Sequence, residues 1–144
     1  MNFDEELTRL TRRVAAAAET TVDLTGRPAL RQVRKAVADA LTFGARPTDR
    51  FGPVLLVVDE LVGNAYRHTS AARELRVTRT AGNLLIEVGD RDPHVGSVRE
   101  LAPGSGRYGL RLVGQLSLDW GVRADSHGKV VWALVPITVL PAEP

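Results

Sequence analysis

The apolar positions of the chain repeat with two periods, and each period assigns its own elements. Leu7, Leu10 and Val14 recur at helical spacing among Glu and Arg and run into the alanines at 15–18, which predicts an N-terminal helix over about 3–18. Residues 20–24 are β-branched and alternate, so they predict a short strand ending at the turn signal Thr25-Gly26. Pro28 suits the first turn of a second helix reaching about 43, with Leu30, Val33, Val37, Ala40 and Leu41 as its apolar stripe and Gly44 as its stop. A loop containing Pro47 follows, in which Thr48 or Asp49 is placed to cap the next element.

That next element, from about Pro53 to His68, is a third helix with two contrasting faces. Leu55, Val58, Leu61, Val62, Ala65 and Tyr66 share one arc, while Asp59, Glu60, Gly63, Asn64, Arg67 and His68 share the other. Two alternating runs, 74–79 and 84–88, are joined through Ala81-Gly82-Asn83 and predict an antiparallel hairpin. Residues 89–107 are rich in Gly, Pro and charge and predict a loop, followed by a helix over about 108–116. Strands at 118–123 and 130–135 around a loop at 124–128 predict a second hairpin. This order of elements predicts an α/β (α+β) two-layer sandwich, with a mixed, mainly antiparallel sheet and helices on one face.

Composition narrows the function classes. A chain of 144 residues with 44% hydrophobic content closes one core, so the expected organisation is a helical extension at 1–19 and a single domain at 20–140. There is no cysteine, which removes thiol nucleophiles, disulfides and Cys-based zinc sites. Asp4, Glu5 and Glu6 carry the wrong charge for a secretory leader, and no apolar run approaches the roughly 20 residues of a membrane span, so a cytoplasmic protein with no membrane contact is expected. Nineteen basic and seventeen acidic residues are interspersed, and aromatics make up 5%; direct nucleic-acid binding gains no support from either.

The candidate chemistry lies on the third helix and after it. Glu60 and Asn64 are one turn apart, with Cβ atoms about 5–6 Å from each other, which suits a carboxylate beside a neutral oxygen ligand. Mg²⁺ takes few protein ligands and shares the phosphates of its substrate, so one Asn oxygen suffices as the protein contact. The same pair also occurs on ordinary solvated helix faces. His68 follows on the same edge of the arc, as a phosphate neighbour or as a structural histidine at a helix end. Asp90 closes the first hairpin, either as a ligand acceptor or as a turn residue capping backbone N–H groups. Gly104, Gly106 and Gly109 flank a helix start that can receive phosphate oxygens, with Arg107 beside them to neutralise charge; flexible turn punctuation explains the glycines equally.

The run Leu55-Leu56-Val57-Val58-Asp59-Glu60-Leu61-Val62-Gly63-Asn64-Ala65-Tyr66-Arg67-His68 resembles the Glu-x-x-x-Asn-Ala box of the histidine-kinase-like ATPase superfamily, and within it the small bacterial anti-sigma-factor serine/threonine kinases. Three further segments match in order: Ile86-Glu87-Val88-Gly89-Asp90, Tyr108-Gly109-Leu110-Arg111-Leu112-Val113 and Gly128-Lys129-Val130-Val131-Trp132. The resemblance implies a Bergerat ATP-binding fold over 20–140, with ATP and Mg²⁺ as cofactors. It further implies Asn64 as the metal contact, Glu60 as catalytic base and Asp90 as acceptor for the adenine amine, with His68, Gly104, Gly106, Arg107, Gly109 and Leu110 around the nucleotide. The chain departs from the family at Asp90-Arg91-Asp92-Pro93, where glycines commonly follow the aspartate, and at Arg107-Tyr108, where smaller or aliphatic residues are usual.

By that resemblance the expected function is an anti-sigma-type regulator that moves the γ-phosphate of ATP to a serine or threonine of an antagonist protein. The expected partners are that antagonist, a sigma factor, or both, and a homodimer is compatible with the pattern. The altered glycine boxes supply the alternative, a non-catalytic protein-binding regulator with a degenerate nucleotide site.

Overall fold

A computed structural model describes residues 19–42, 51–69, 71–92 and 110–137. The expected N-terminal helix and the glycine-rich stretch with Gly104, Gly106, Arg107 and Gly109 lie outside these residues. The described elements are β1 (Glu19–Asp23), α1 (Leu30–Thr42), α2 (Gly52–His68), β2 (Ala72–Thr80), β3 (Asn83–Asp90), α3 (Arg111–Leu116), β4 (Asp119–Asp125) and β5 (Gly128–Pro136). The five strands form one sheet in the order β1-β2-β3-β5-β4, and every neighbouring pair is antiparallel. The fold is therefore a mixed α+β arrangement, and the expected mixed sheet is antiparallel throughout the described residues. Among those residues, no helix is long and apolar enough to cross a membrane.

Alternation along the strands decides which side of the sheet the helices cover. Leu75 and Val77 of β2, Leu84, Ile86 and Val88 of β3, and Ala133 and Val135 of β5 are in phase and buried. They form one core with Val33 and Val37 of α1, Val54, Val57, Val58, Leu61 and Val62 of α2, and Val113 of α3. The opposite phase carries a ladder of ion pairs: Glu19 with Arg76, Arg76 with Glu74, Arg73 with Glu74 and Asp125, and Arg123 with Glu87. A polar ladder of this kind keeps an open sheet face in water.

Local chemistry sets the element ends. Asp23 accepts hydrogen bonds from the Thr25 backbone (2.9 Å) and hydroxyl (2.7 Å), closing the turn after β1. Those two bonds hold the Asp23 carboxyl below its ordinary range. Helix α1 starts at Leu30, two residues later than Pro28 suggested, and Gln32 reaches back to accept the Ala29 N–H at 3.0 Å. Helix α2 has Phe51 at its N-cap position, without a side-chain cap bond, and Pro53 stands in the first turn; the cap candidates Thr48 and Asp49 lie outside the described residues. Its other end is held by Arg27, whose guanidinium donates to the carbonyls of Tyr66 (2.7 Å) and Thr69 (3.2 Å) and lies 4.6 Å from the Tyr66 ring centroid. The loop of the second hairpin shrinks from the expected five residues to Ser126 and His127, because Asp125 and Gly128 already pair.

Candidate functional site

One concavity lies between α2, the ends of β3 and β5, and the start of α3. Its lining includes Leu61, Asn64, Ala65, His68 and Thr69 from α2 and its end, Val88 and Asp90 from β3, Leu110, and Lys129 and Val131 from β5. Its empty space, open solvent included, is about 390 Å³, but water-sized spheres centre in only about 20 Å³ of it. A ligand much larger than a water therefore reaches outward to solvent or displaces side chains.

The helix contributes its side chains because of where its apolar residues are. Val54, Val57, Val58, Leu61 and Val62 bury so much of α2 that Gly63 and Asn64, assigned to a polar face by the sequence, are buried as well. The Asn64 Oδ1 accepts a 2.6 Å hydrogen bond from Arg67, whereas its Nδ2 is buried with no partner among the described residues. A buried amide with one unsatisfied donor is costly, and such groups often mark a place where a ligand completes the set. His68 is exposed at the rim. Glu60, half-buried and one turn before Asn64, is not among the residues that line the concavity.

Strand β3 continues through Gly89 and Asp90, two residues beyond the expected end, and this places Asp90 opposite Lys129 of β5. The two side chains are 4% and 5% exposed, with the Lys129 Nζ 3.3 Å from Oδ1 and 3.3 Å from Oδ2 of Asp90. Lys129 also donates to the Asp92 carbonyl at 3.2 Å, and the Asp92 N–H donates to Asp90 Oδ1 at 2.8 Å. The turn-capping role for Asp90 is thus present together with its place in the concavity. Burial pushes the Asp90 carboxyl above its ordinary range, and the Lys129 charge opposes that shift.

The alignment of Lys129 with Asp90 depends on Gly128. Its φ is +150°, and a Cβ there would overlap the Asp90 carbonyl oxygen and come within 2.8 Å of the Arg91 backbone. No side chain fits between these two chain segments.

Of the residues singled out in the sequence, Asn64, His68, Asp90 and Leu110 meet at this concavity, Glu60 stands outside its lining, and Gly104, Gly106, Arg107 and Gly109 lie outside the described residues. Lys129 was missed as a functional candidate. Its signal was phase: it alternates with Val131, Ala133 and Val135 on the inward face, where a lone lysine needs a buried partner. The apolar walls suit a flat ring, the Asp90 carboxylate suits an N–H donor, and the Asn64 amide suits a polar group beside them. No family model matches this chain, and no curated protein sequence matches it.

Proposed function

We propose that the concavity binds Mg-ATP in a Bergerat-type fold and that the protein is an anti-sigma-type regulator. The supporting observation is convergence: Asn64, His68, Asp90 and Leu110, selected from three separate sequence segments, line one concavity. In this reading Asp90 accepts the adenine amine, which its acceptor-only carboxylate distinguishes from an oxo group. Leu61, Ala65, Val88 and Val131 offer the apolar surface for the ring, and Asn64 faces the metal and phosphates once its Oδ1 leaves Arg67. The bound nucleotide supplies a transferable γ-phosphoryl group. Glu60, one turn from Asn64, takes the proton of a serine or threonine hydroxyl on the antagonist protein as that oxygen bonds to phosphorus and ADP departs.

A second reading, a protein-binding regulator that uses no nucleotide, is favoured by one specific observation. The Asn64 oxygen is engaged by Arg67 and the Asp90 carboxylate by Lys129, so two of the polar groups that a nucleotide needs are already partnered within the chain. Calorimetry separates the readings. Saturable heat with Mg-ATP that disappears in Asn64→Ala supports the first, and absence of heat at millimolar nucleotide leaves the second. A phosphotransfer assay with radiolabelled ATP and captured partners then tests the kinase step, which Glu60→Ala slows without loss of nucleotide affinity.

A further inference from the structure

We propose that Lys129 is a specificity-determining residue: its buried ammonium holds Asp90 as an acceptor-only carboxylate and so restricts the concavity to ligands that present an N–H donor there, an aminopurine over an oxopurine. This inference rests on the nucleotide reading above and names the group that makes the Asp90 selection work.

The argument starts from what a carboxyl group becomes when it is buried. A buried, unpaired Asp protonates, and the neutral acid donates one hydrogen bond as well as accepting others, so it tolerates an oxo group and an amine alike. At Asp90 burial favours the proton, and the Lys129 ammonium opposes it. Among the described residues, the Asp90 carboxylate only accepts: from Lys129, whose Nζ is 3.3 Å from each carboxylate oxygen, and from the Asp92 N–H at 2.8 Å. Oδ1 receives both donors, whereas Oδ2 faces only Lys129 among the described residues, so Oδ2 keeps acceptor capacity for a ligand. Lys129 spends its remaining donor capacity on the Asp92 carbonyl at 3.2 Å, which fixes the ammonium beside Asp90 and away from a competing role as a donor to the ligand.

The other groups facing Asp90 do not replace this charge. Asp92 is a second carboxylate, 3.9 Å from the Lys129 Nζ, and its charge works against ionisation of Asp90. His68 of α2 lines the same concavity but is exposed at its rim, Leu110 ahead of α3 is apolar, and the β2 residue opposite Asp90 is Ala72. Lys129 is the buried cation that acts on Asp90 among the described residues.

The test has a ligand-free arm and a ligand arm. Carboxyl ¹³C NMR of the ligand-free protein, with Asp90 assigned through Asp90→Asn, should show its titration midpoint rising in Lys129→Met and returning in Lys129→Arg. Calorimetry should show Mg-ATP bound at least about tenfold more tightly than Mg-inosine triphosphate by the parent protein, a preference on the scale of one unpaired buried polar group, falling to within about threefold in Lys129→Met and recovering in Lys129→Arg. Lys129→Gln, which keeps N–H donors without the charge, serves if the Met variant does not fold, and the same losses are expected of it. An unmoved Asp90 midpoint, or an unchanged preference while ATP still binds, overturns the role of Lys129 and leaves the nucleotide reading standing. Failure of the parent protein to bind either nucleotide overturns both.

Discussion

The guanidinium of Arg67 folds back along α2 and donates to the Oδ1 of Asn64 at 2.6 Å, passing within 3.2 Å of where a Cβ on Gly63 would stand. An exposed side chain thus satisfies one atom of a buried amide and leaves its Nδ2 without a partner among the described residues. Asn64 is consequently expensive to keep. Replacing it by Ala removes a buried donor whose desolvation costs about 1–3 kcal/mol and substitutes a better helix former. The lost bond to an exposed Arg offsets only part of that. Asn64→Ala is therefore expected to unfold in urea at a midpoint equal to or above that of the parent, while Mg-ATP binding is lost. A drop of more than about 1 kcal/mol in stability would instead make Asn64 a structural residue.

Arg27 carries the second prediction. It is the one non-glycine with positive φ (51°) among the described residues, a conformation that costs an ordinary side chain roughly 1 kcal/mol. It is held there because its guanidinium caps two carbonyls at the end of α2 and lies over Tyr66, whose hydroxyl in turn donates to the Pro28 carbonyl at 2.8 Å. Arg27→Ala keeps the strain and loses the cap, and should cost about 2 kcal/mol in chemical denaturation. Arg27→Gly relieves the strain but not the cap, and should fall between the two. Because the capped end carries His68 and Thr69, hydrogen exchange at their amides should rise in both variants. Equal stability of parent and Ala variant would remove Arg27 from this role.

These two cases show where the sequence was informative. Helix α2 and both hairpins were legible because their apolar periods are long and uninterrupted, and Asn64, His68, Asp90 and Leu110 were singled out together through the resemblance of their segments to the ordered boxes of the histidine-kinase-like ATPases. The burial of Asn64 was not legible, since a helical wheel ranks faces by polarity and cannot see what the fold packs against each. The pairing of Asp90 with Lys129 was likewise hidden, because it depends on the register between β3 and β5, and 39 residues separate them in the chain. Register follows from packing of the whole sheet, and a shift of one residue would have turned Lys129 to the opposite face.

That register supplies a third prediction, through two glycines of similar appearance. Gly82 has φ of 78° and nothing near its would-be Cβ, so Gly82→Ala costs only the backbone preference, about 1 kcal/mol. Gly128 has φ of 150° and a Cβ there would meet the Asp90 and Arg91 backbone. Gly128→Ala must either separate β5 from that segment or shift its register, and should cost about 3 kcal/mol or more by urea titration. It should also weaken the contact between Lys129 and Asp90. If both variants lose the same small amount, the close approach at Gly128 is not required.

The buried pair itself gives the fourth prediction. Removing one partner leaves a buried charge without its counter-charge, so Asp90→Ala alone should cost about 3 kcal/mol, whereas removing both and filling the space often restores stability. Asp90→Ala combined with Lys129→Met is expected within about 1 kcal/mol of the parent, or above it. The pH dependence has a definite sign. The Asp90 carboxyl is raised in the folded protein, chiefly by burial, so the folded state holds its proton more tightly than the unfolded chain does. Stability contributed by this group is therefore greatest below the ordinary carboxylate value and declines as pH rises from there through the folded value. Asp23 and Asp125, both lowered by backbone or side-chain hydrogen bonds, act in the opposite direction, but they are common to parent and double variant and cancel in the difference. Subtracting the two stability profiles should leave the parent losing ground to the double variant with rising pH across that window. A difference that is flat, or that rises in the parent's favour, would mean that Lys129 overcompensates burial and that the pair is a net source of stability.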